Sequence, residues 1–403
     1  MTIVLGALMT VHAYPFRADR LDLDPKYAEL RAGEPLSRVQ LPFGEEAWLA
    51  TRYQDVRLVL GDPRFSRAAS VGRDEPRHMP QSRVSGMLSM DPPEHTRLRR
   101  LIAKAFTARR VEALRPFTLG LADSYVDAMI AKGAPGDLVQ DFAEPLPAAV
   151  ICELLGVPFE DRDRFQVWSE AIISTTSLPP ETIVEYYQNL FGYIATLVAK
   201  RRAEPEVDDL IGALMRVRDD DDGRLSEQEM VQMIGGLLAA GQETTTSQLP
   251  NFFYTLMTFR EEWERLVADP ALIPGAVEEL MRFIPLGVGA AIPRYALEDV
   301  AFGDVVVRAG EPVLVSLASA NRDPDVFEEP DALNIQRRSN PHIGFGHGAH
   351  HCVGAQLARM ELQVALTVLT QRLPRLAPAV PPQELTWKSG RLVRALSALP
   401  VTW

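Results

Sequence analysis

Apolar residues recur at three- and four-residue spacing over long tracts of this chain, the signature of helices buried along one face. Four tracts show it plainly, at 97–106, 114–130, 146–155 and 185–202. A fifth begins where Ser226 is followed three residues later by Glu229. In that pairing each side chain satisfies the other's free backbone N–H, so it marks a helix start. It predicts a long helix through Met233, Leu237 and Leu238. Pro250 falls inside the pattern and, lacking an N–H, should kink or loosen the helix near Thr246. Another helix should open at Pro274 and end before Pro285, and a last one should run from about Val353 to Leu373. Strand-like runs are short and lie towards the two ends, AWLATRY at 47–53 and VVVRAGEPVLVSL within 286–318. The run 219–222 reads as a charged loop and 323–342 as irregular backbone. The expected fold class is mainly α with minor β sheets.

No Gly/Ser linker, composition break or internal repeat divides the 403 residues, so a single domain over 1–403 is expected, with 1–15 as a flexible N-terminal arm. The first apolar run, about ten residues long, is too short to span a bilayer, and no later one reaches the ~18 residues required. Two cysteines, Cys152 and Cys352, exclude a disulfide scaffold and fit a reducing cytoplasm. A net charge of -12 makes the whole molecule a poor partner for nucleic acid. One stretch reverses that sign, with Arg97, Arg99, Arg100, Lys104, Arg109, Arg110 and Arg115 close together. On pattern alone this is a solvated helical face.

Chemistry concentrates in Phe345-Gly346-His347-Gly348-Ala349-His350-His351-Cys352-Val353-Gly354. Cys352 falls at the start of the last helix, where free backbone N–H groups favour a thiolate. The glycines let the backbone pass close to something large and flat. A thiolate so placed suits haem iron, since its electron donation favours O–O cleavage. The competing readings are a small core cysteine, or zinc held by the crowded His and Cys residues, which would lack a second, separated ligand cluster.

This segment matches every fixed position of the cytochrome P-450 ligand loop, F-G-x-G-x-H/R-x-C-x-G, and the chain resembles that family. The resemblance covers nearly the whole chain, because the other landmarks appear in the family's order. It implies the family's fold, with haem b between the central long helix and the Cys-ligand helix, and Cys352 as the axial iron ligand. Ala240-Gly241-Gln242-Glu243-Thr244-Thr245 matches the oxygen-binding stretch of the central helix. By that likeness Thr244 holds dioxygen and its protons, Glu243 connects to solvent, and Gly241 leaves the oxygen groove beside Ala240. Glu279 and Arg282, which on spacing alone read as a surface i,i+3 pair, match the family's buried pair, joined by Arg337. Asp91-Pro92-Pro93-Glu94-His95 resembles another landmark, implying that His95 and Arg99 reach one propionate edge of the haem, with Arg294 and His350 at the remaining positions and Phe345 and Gly346 against the ring.

The resemblance is greatest to soluble bacterial members that tailor macrolides in actinomycetes, and implies hydroxylation or epoxidation of a macrolide or similar polyketide. Oxidative C–C coupling of aromatic substrates, such as indole-bearing cyclic dipeptides, uses the same chemistry and is the close rival. A non-catalytic haem or redox sensor is the alternative of another class, and intact Glu243-Thr244 argues against it. The segments 68–90, 168–182, 233–244 and 286–293 should form the substrate pocket, with Val84, Leu88, Leu237, Ala240, Val288, Ala290 and Ala291 as candidate contacts. No dinucleotide fingerprint occurs, so electrons should come indirectly from NAD(P)H through a separate ferredoxin and ferredoxin reductase. The basic stretch around 97–110 would then receive an acidic ferredoxin. A small-molecule substrate and O2, no nucleic acid, no membrane, a monomer and a cytoplasmic location complete the expectation.

Overall fold

The computed structural model describes residues 10–17, 19–80, 86–203, 209–220, 225–289 and 292–403. Helix dominates it. The expected tracts appear as helices Glu94–Ala105, Arg115–Lys132, Pro145–Leu155 and Pro180–Arg202, followed by Ile273–Phe283 and Ala355–Arg372 near the C-terminal end. Proline opens several of them in the first turn, where its missing N–H costs nothing. The helix after residue 209 runs from Leu210 to Asp220, so the expected charged loop loses its first two residues to helix, and the remainder lies outside the described residues.

The central helix, Glu227–Thr258, is capped as its sequence requires: the Ser226 hydroxyl accepts from the Glu229 N–H at 3.2 Å, and the Glu229 carboxylate accepts from the Ser226 N–H at 2.8 Å. Pro250 removes one N–H from its ladder, but the helix continues unbroken to Thr258. Neighbours that grip it on several sides outweigh that loss: Leu249, Pro250, Asn251, Phe252 and Phe253 are all buried. The large core cluster runs from this helix into Ala355–Arg372 and Pro145–Leu155.

A six-stranded mixed sheet packs beside the helices. Its order is Val11–Ala13, Leu36–Gln40, Ala47–Ala50, Pro312–Val315, Arg294–Ala296 and Phe65–Ser66. Trp48 pairs in parallel with Val313, while Arg294 sits opposite Val313 on the other side. Val11–Ala13 corrects the expectation of a flexible arm over 1–15. It pairs in parallel with Arg38–Gln40, and Tyr14 beyond it is buried against Tyr27, while residues 1–9 lie outside the described residues. The tract read as one strand over 47–53 is divided, because a strand ends at Ala50 and a helix begins at Tyr53, whose N–H is held by the Asp323 carboxylate at 2.8 Å.

The segment leading to Cys352 has almost no regular structure, so its order must come from side chains. Glu279 and Arg282 supply it. Both side chains are fully buried, and they meet through two bonds of 2.7 and 2.8 Å. Arg337 donates to the same carboxylate at 3.0 Å, Asn340 at 3.1 Å, and the Asn334 N–H at 2.9 Å. Arg282 also donates to the carbonyls of Asn321, Pro330 and Ala332, so one guanidinium pins three points of the irregular stretch. Glu279→Gln leaves two buried guanidiniums short of their counter-charge. Denaturant unfolding should show a loss of about 3–5 kcal/mol, and an unchanged midpoint would refute the role assigned to this carboxylate.

Candidate active site

The chain reaches Cys352 through a loop that its glycines permit. Gly346 (φ 77°) and Gly348 (φ 71°) take backbone conformations that side chains resist. A Cβ on Gly348 would stand 2.3 Å from the Leu60 carbonyl oxygen. The Cys352 N–H donates to the Phe345 carbonyl at 2.8 Å and closes the loop. Gly354 caps the helix Ala355–Arg372, so Cys352 lies three residues ahead of its first turn, and the Gly354 N–H is directed at the sulfur. Burial pushes the thiol pKa up, against this N–H and the charges of Arg99 and Arg359.

A cavity of about 590 Å³ lies between this loop and the central helix. Cys352, Phe345 and Gly346 line one wall, and Leu237, Ala240, Gly241 and Thr244 the other. Leu88, Leu286 and Ile292 extend its apolar surface, and no Asp or Glu lines it among the described residues.

One edge of the cavity is different. Arg67, Arg294 and His350 line it there, and His95 stacks on His350 with ring centroids 4.2 Å apart. Arg67, Arg294 and His95 are buried, and one nitrogen on each (Nη2, Nε and Nε2) has no hydrogen-bond partner. Burial and then the Arg294 charge push the His350 pKa down to about 3, while burial and the Arg67 charge push Arg294 down to about 10. Of the nearby carboxylates, Glu75 pairs with the Arg67 guanidinium at 3.3 Å, and Asp91 is occupied by Ser66 and by the N–H groups of Arg67 and Ala68. Buried nitrogens left without a partner, such as Nε of Arg294 and Nη2 of Arg67, are costly unless an anion or another acceptor meets them. A flat ring carrying two carboxylates at that edge, with a metal above the Cys352 sulfur, fits these donors, the glycine-lined wall and the depth of the cavity.

Glu243 and Thr244 are consecutive yet face different surroundings. Thr244 opens on the cavity and donates its hydroxyl to the Ala240 carbonyl at 2.7 Å. Glu243 is buried on another side, accepting from the Ser169 hydroxyl at 2.6 Å, with the Arg391 guanidinium 3.9 Å away. It borders a second, polar chamber of about 360 Å³ shared with Glu144, Asp163, Glu170, Lys388 and Arg391. Burial raises the Glu243 pKa, with Ser169, Arg391 and Lys388 opposing. A carboxyl held between chamber and cavity wall is suited to holding and passing a proton.

The structure brings most of the expected site residues together, with exceptions. Arg99 turns behind the Cys loop and donates to the His351 carbonyl, away from the cavity lining. Gly241 lines the cavity, but a Cβ there would meet Ile151 at 3.1 Å, so its smallness also serves helix packing. Val288 gives its N–H to the Leu392 carbonyl and does not line the cavity, whereas Leu88, Leu237 and Ala240 do. The candidates Val84, Ala290 and Ala291 lie outside the described residues. The segment 168–182 is corrected too: none of it lines the large cavity, and Glu170 faces the polar chamber instead. Sequence reasoning missed Arg67, Ser169 and Arg391, whose partners are far away in the chain and which carry no motif. For zinc, no group of three or more His, Cys, Asp or Glu able to hold a metal occurs among the described residues. Nor is any described helix long and apolar enough to cross a membrane.

Comparison with known proteins gives the same answer as the geometry. The family model for Cytochrome P450 matches residues 38–384. The chain is 54% identical to the mycinamicin IV hydroxylase/epoxidase of Micromonospora griseorubida, over 97% of this chain and 98% of the relative. It is 51% identical to the nocardicin C N-oxygenase of Nocardia uniformis subsp. tsuyamanensis, over 97% and 98%. Among solved structures, the mixed-function P450 MycG superposes with a TM-score of 0.92 at 54% identity, covering 98% of this chain and 100% of that one. Cytochrome P450mel, described with biaryl coupling reactivity, gives 0.93 at 44% identity, covering 98% and 100%. This chain belongs to the cytochrome P450 family of haem-iron monooxygenases.

Proposed function

We propose that this chain uses haem b, with Cys352 as its axial ligand, to hydroxylate or epoxidise a bulky, largely apolar secondary metabolite of the macrolide type. The observation that carries this is the Cys352 sulfur opening into an apolar cavity opposite Thr244, beside buried Arg67, Arg294 and His95, each with a nitrogen that has no partner. The substrate class rests on that cavity and on the likeness to the mycinamicin IV hydroxylase/epoxidase. Coupling of aromatic substrates is the second reading, favoured by the likeness to cytochrome P450mel.

Bound haem supplies the activation of O2, with the overall balance RH + O2 + 2e⁻ + 2H⁺ → ROH + H2O. The protein's part is to position and to supply protons. Arg67, Arg294, His350 and His95 would hold the two carboxylates of that group. Leu88, Leu237, Leu286 and Ile292 exclude water and enclose the substrate. The Thr244 hydroxyl, already donating to Ala240, has its oxygen free to accept a hydrogen bond on the cavity side. Glu243 holds a proton at its carboxyl and takes a replacement from the polar chamber. Electrons come indirectly from NAD(P)H through a separate ferredoxin and its reductase. Exposed Arg100, Lys104 and Arg109 form the positive surface that an acidic carrier would meet.

Cys352→Ser should abolish the strongly red-shifted Soret band of the reduced carbon monoxide complex, and an unaltered band would sink the ligand assignment. Thr244→Ala should keep haem and substrate binding but lower product formed per NADPH consumed. Glu243→Gln should slow turnover by about 10²-fold. Because burial raises the Glu243 pKa, its protonated carboxyl should persist in infrared spectra above the pH at which ordinary carboxyls ionise. That band should be missing from Glu243→Gln. Titrating the enzyme with macrolides and with cyclic dipeptides, and following the Soret shift, separates the two substrate readings. A saturable shift with the dipeptides alone would overturn the first.

A further inference from the structure

The residue before Glu279 holds a second polar network, on the Cys loop itself. Both carboxylate oxygens of Glu278 accept from Arg359, at 2.7 and 2.8 Å, so the pair is bidentate. Arg359 projects from the Cys-loop helix, and its guanidinium stands 4.5 Å from the centre of the Phe345 ring. Glu278 also meets His342 Nε2 at 2.9 Å. His342 Nδ1 accepts from the Gly344 N–H at 3.1 Å, which leaves the ring proton on Nε2, donating to Glu278. Gly344 is pressed against the helix Ile273–Phe283 that carries Glu278, because a Cβ there would stand 2.7 Å from the Met281 carbonyl oxygen. The carboxylate is strongly committed: hydrogen bonds from His342 and Arg359, against burial, bring its pKa down to about 2.

We propose that Glu278, His342 and Arg359 are positioning residues that fix the start of the Cys loop and set the electrostatic potential at the Cys352 sulfur, so that the reduction potential of the bound haem depends on them. Three features support this. Arg359 projects from the helix that opens three residues after Cys352 and stands 4.5 Å over the Phe345 ring of the same loop. Arg99 bonds to the neutral His351 carbonyl, whereas Arg359 is paired with a carboxylate that offsets part of its field. Phe345, beneath Arg359, both accepts the Cys352 N–H at its carbonyl and lines the cavity. Reduction adds one electron to the site, so a nearby cation favours the reduced state and a nearby anion disfavours it. With Arg359 and Glu278 partly exposed, solvent screens both effects.

The test is the midpoint potential of haem-loaded protein, measured by spectroelectrochemistry with the carbon monoxide spectrum as a check on thiolate ligation. Arg359→Gln should shift the potential negative. Glu278→Gln should shift it positive, and Arg359→Lys, which keeps the charge, should stay nearer the original than Arg359→Gln. Opposite signs are the discriminating result, since mere loosening of the loop would move both variants the same way. Shifts of the same sign, or no shift with an intact carbon monoxide band, would overturn the inference. If Arg359→Gln fails to fold, Glu278→Gln decides, and a negative or absent shift overturns it. This inference rests on Cys352 as the iron ligand. That reading falls separately, when the unmutated protein itself lacks the red-shifted band.

Discussion

A carboxylate without water around it holds the approach to Cys352. Glu279 is fully buried, and its charge is tolerable only because Arg282, Arg337, Asn340 and the Asn334 N–H together saturate its oxygens. Arg282 then has donors left for three backbone carbonyls, and Arg337 for that of Glu328. Removing any member leaves a charge or a carbonyl stranded in the interior, so the network holds as a unit. Its neighbour Glu278 does the same a few residues further on, through His342 and Arg359. Two consecutive acids on one helix therefore anchor a run of about twenty residues, without which the glycine loop would have no fixed place beneath the cavity.

The central helix solves a different problem, putting a polar and an apolar environment side by side. Successive residues on a helix are turned by about 100°, so Glu243 and Thr244 cannot share a surface. Thr244 takes the apolar cavity, and Glu243 the chamber with Lys388 and Arg391. Both remain within one turn, so a proton has little distance to cover between them. The hydroxyls of Thr244 and Ser247 bond back to the carbonyls of Ala240 and Glu243, which keeps those carbonyls satisfied where polar residues crowd the helix interior.

What could be read from the sequence was local. The capping box at Ser226 and Glu229, the proline that opens Ile273–Phe283 and the glycines around Cys352 each act through neighbours within a few positions, so their spacing carries the information. Contacts made across the fold carry no such mark. Ser169 meets Glu243 from 74 positions away, and Arg67 bonds to the Pro293 carbonyl from 226. Neither stretch has a periodicity or motif that announces the contact. Residues 168–182 failed as a pocket segment for a related reason: a helix can be assigned from its pattern, but which of two cavities it borders depends on packing. Pro250 shows the opposite case, where burial on several sides keeps a helix continuous across a residue that costs it a backbone hydrogen bond.

The charge distribution makes sense only when its interior is separated from its surface. A chain of net charge -12 keeps Arg67 and Arg294 inside, next to His350 and His95, with Glu75 paired to Arg67 and Asp91 held by Ser66 and backbone N–H groups. Burial first, and then the neighbouring positive charge, push the His350 and Arg294 pKa values down. Two carboxylates brought to that edge reverse the sign, turning mutual repulsion into charge-assisted hydrogen bonds. The donors' unpartnered nitrogens are thus shaped for a ligand, while Arg67 also holds the chain through Glu75 and the carbonyls of Leu88 and Pro293. Any molecule that binds the folded chain and not the unfolded one stabilises it by mass action. On this account the cofactor belongs to the core as much as Trp263 or Phe252 does, and the arginines at its edge are the part of the fold that the ligand completes.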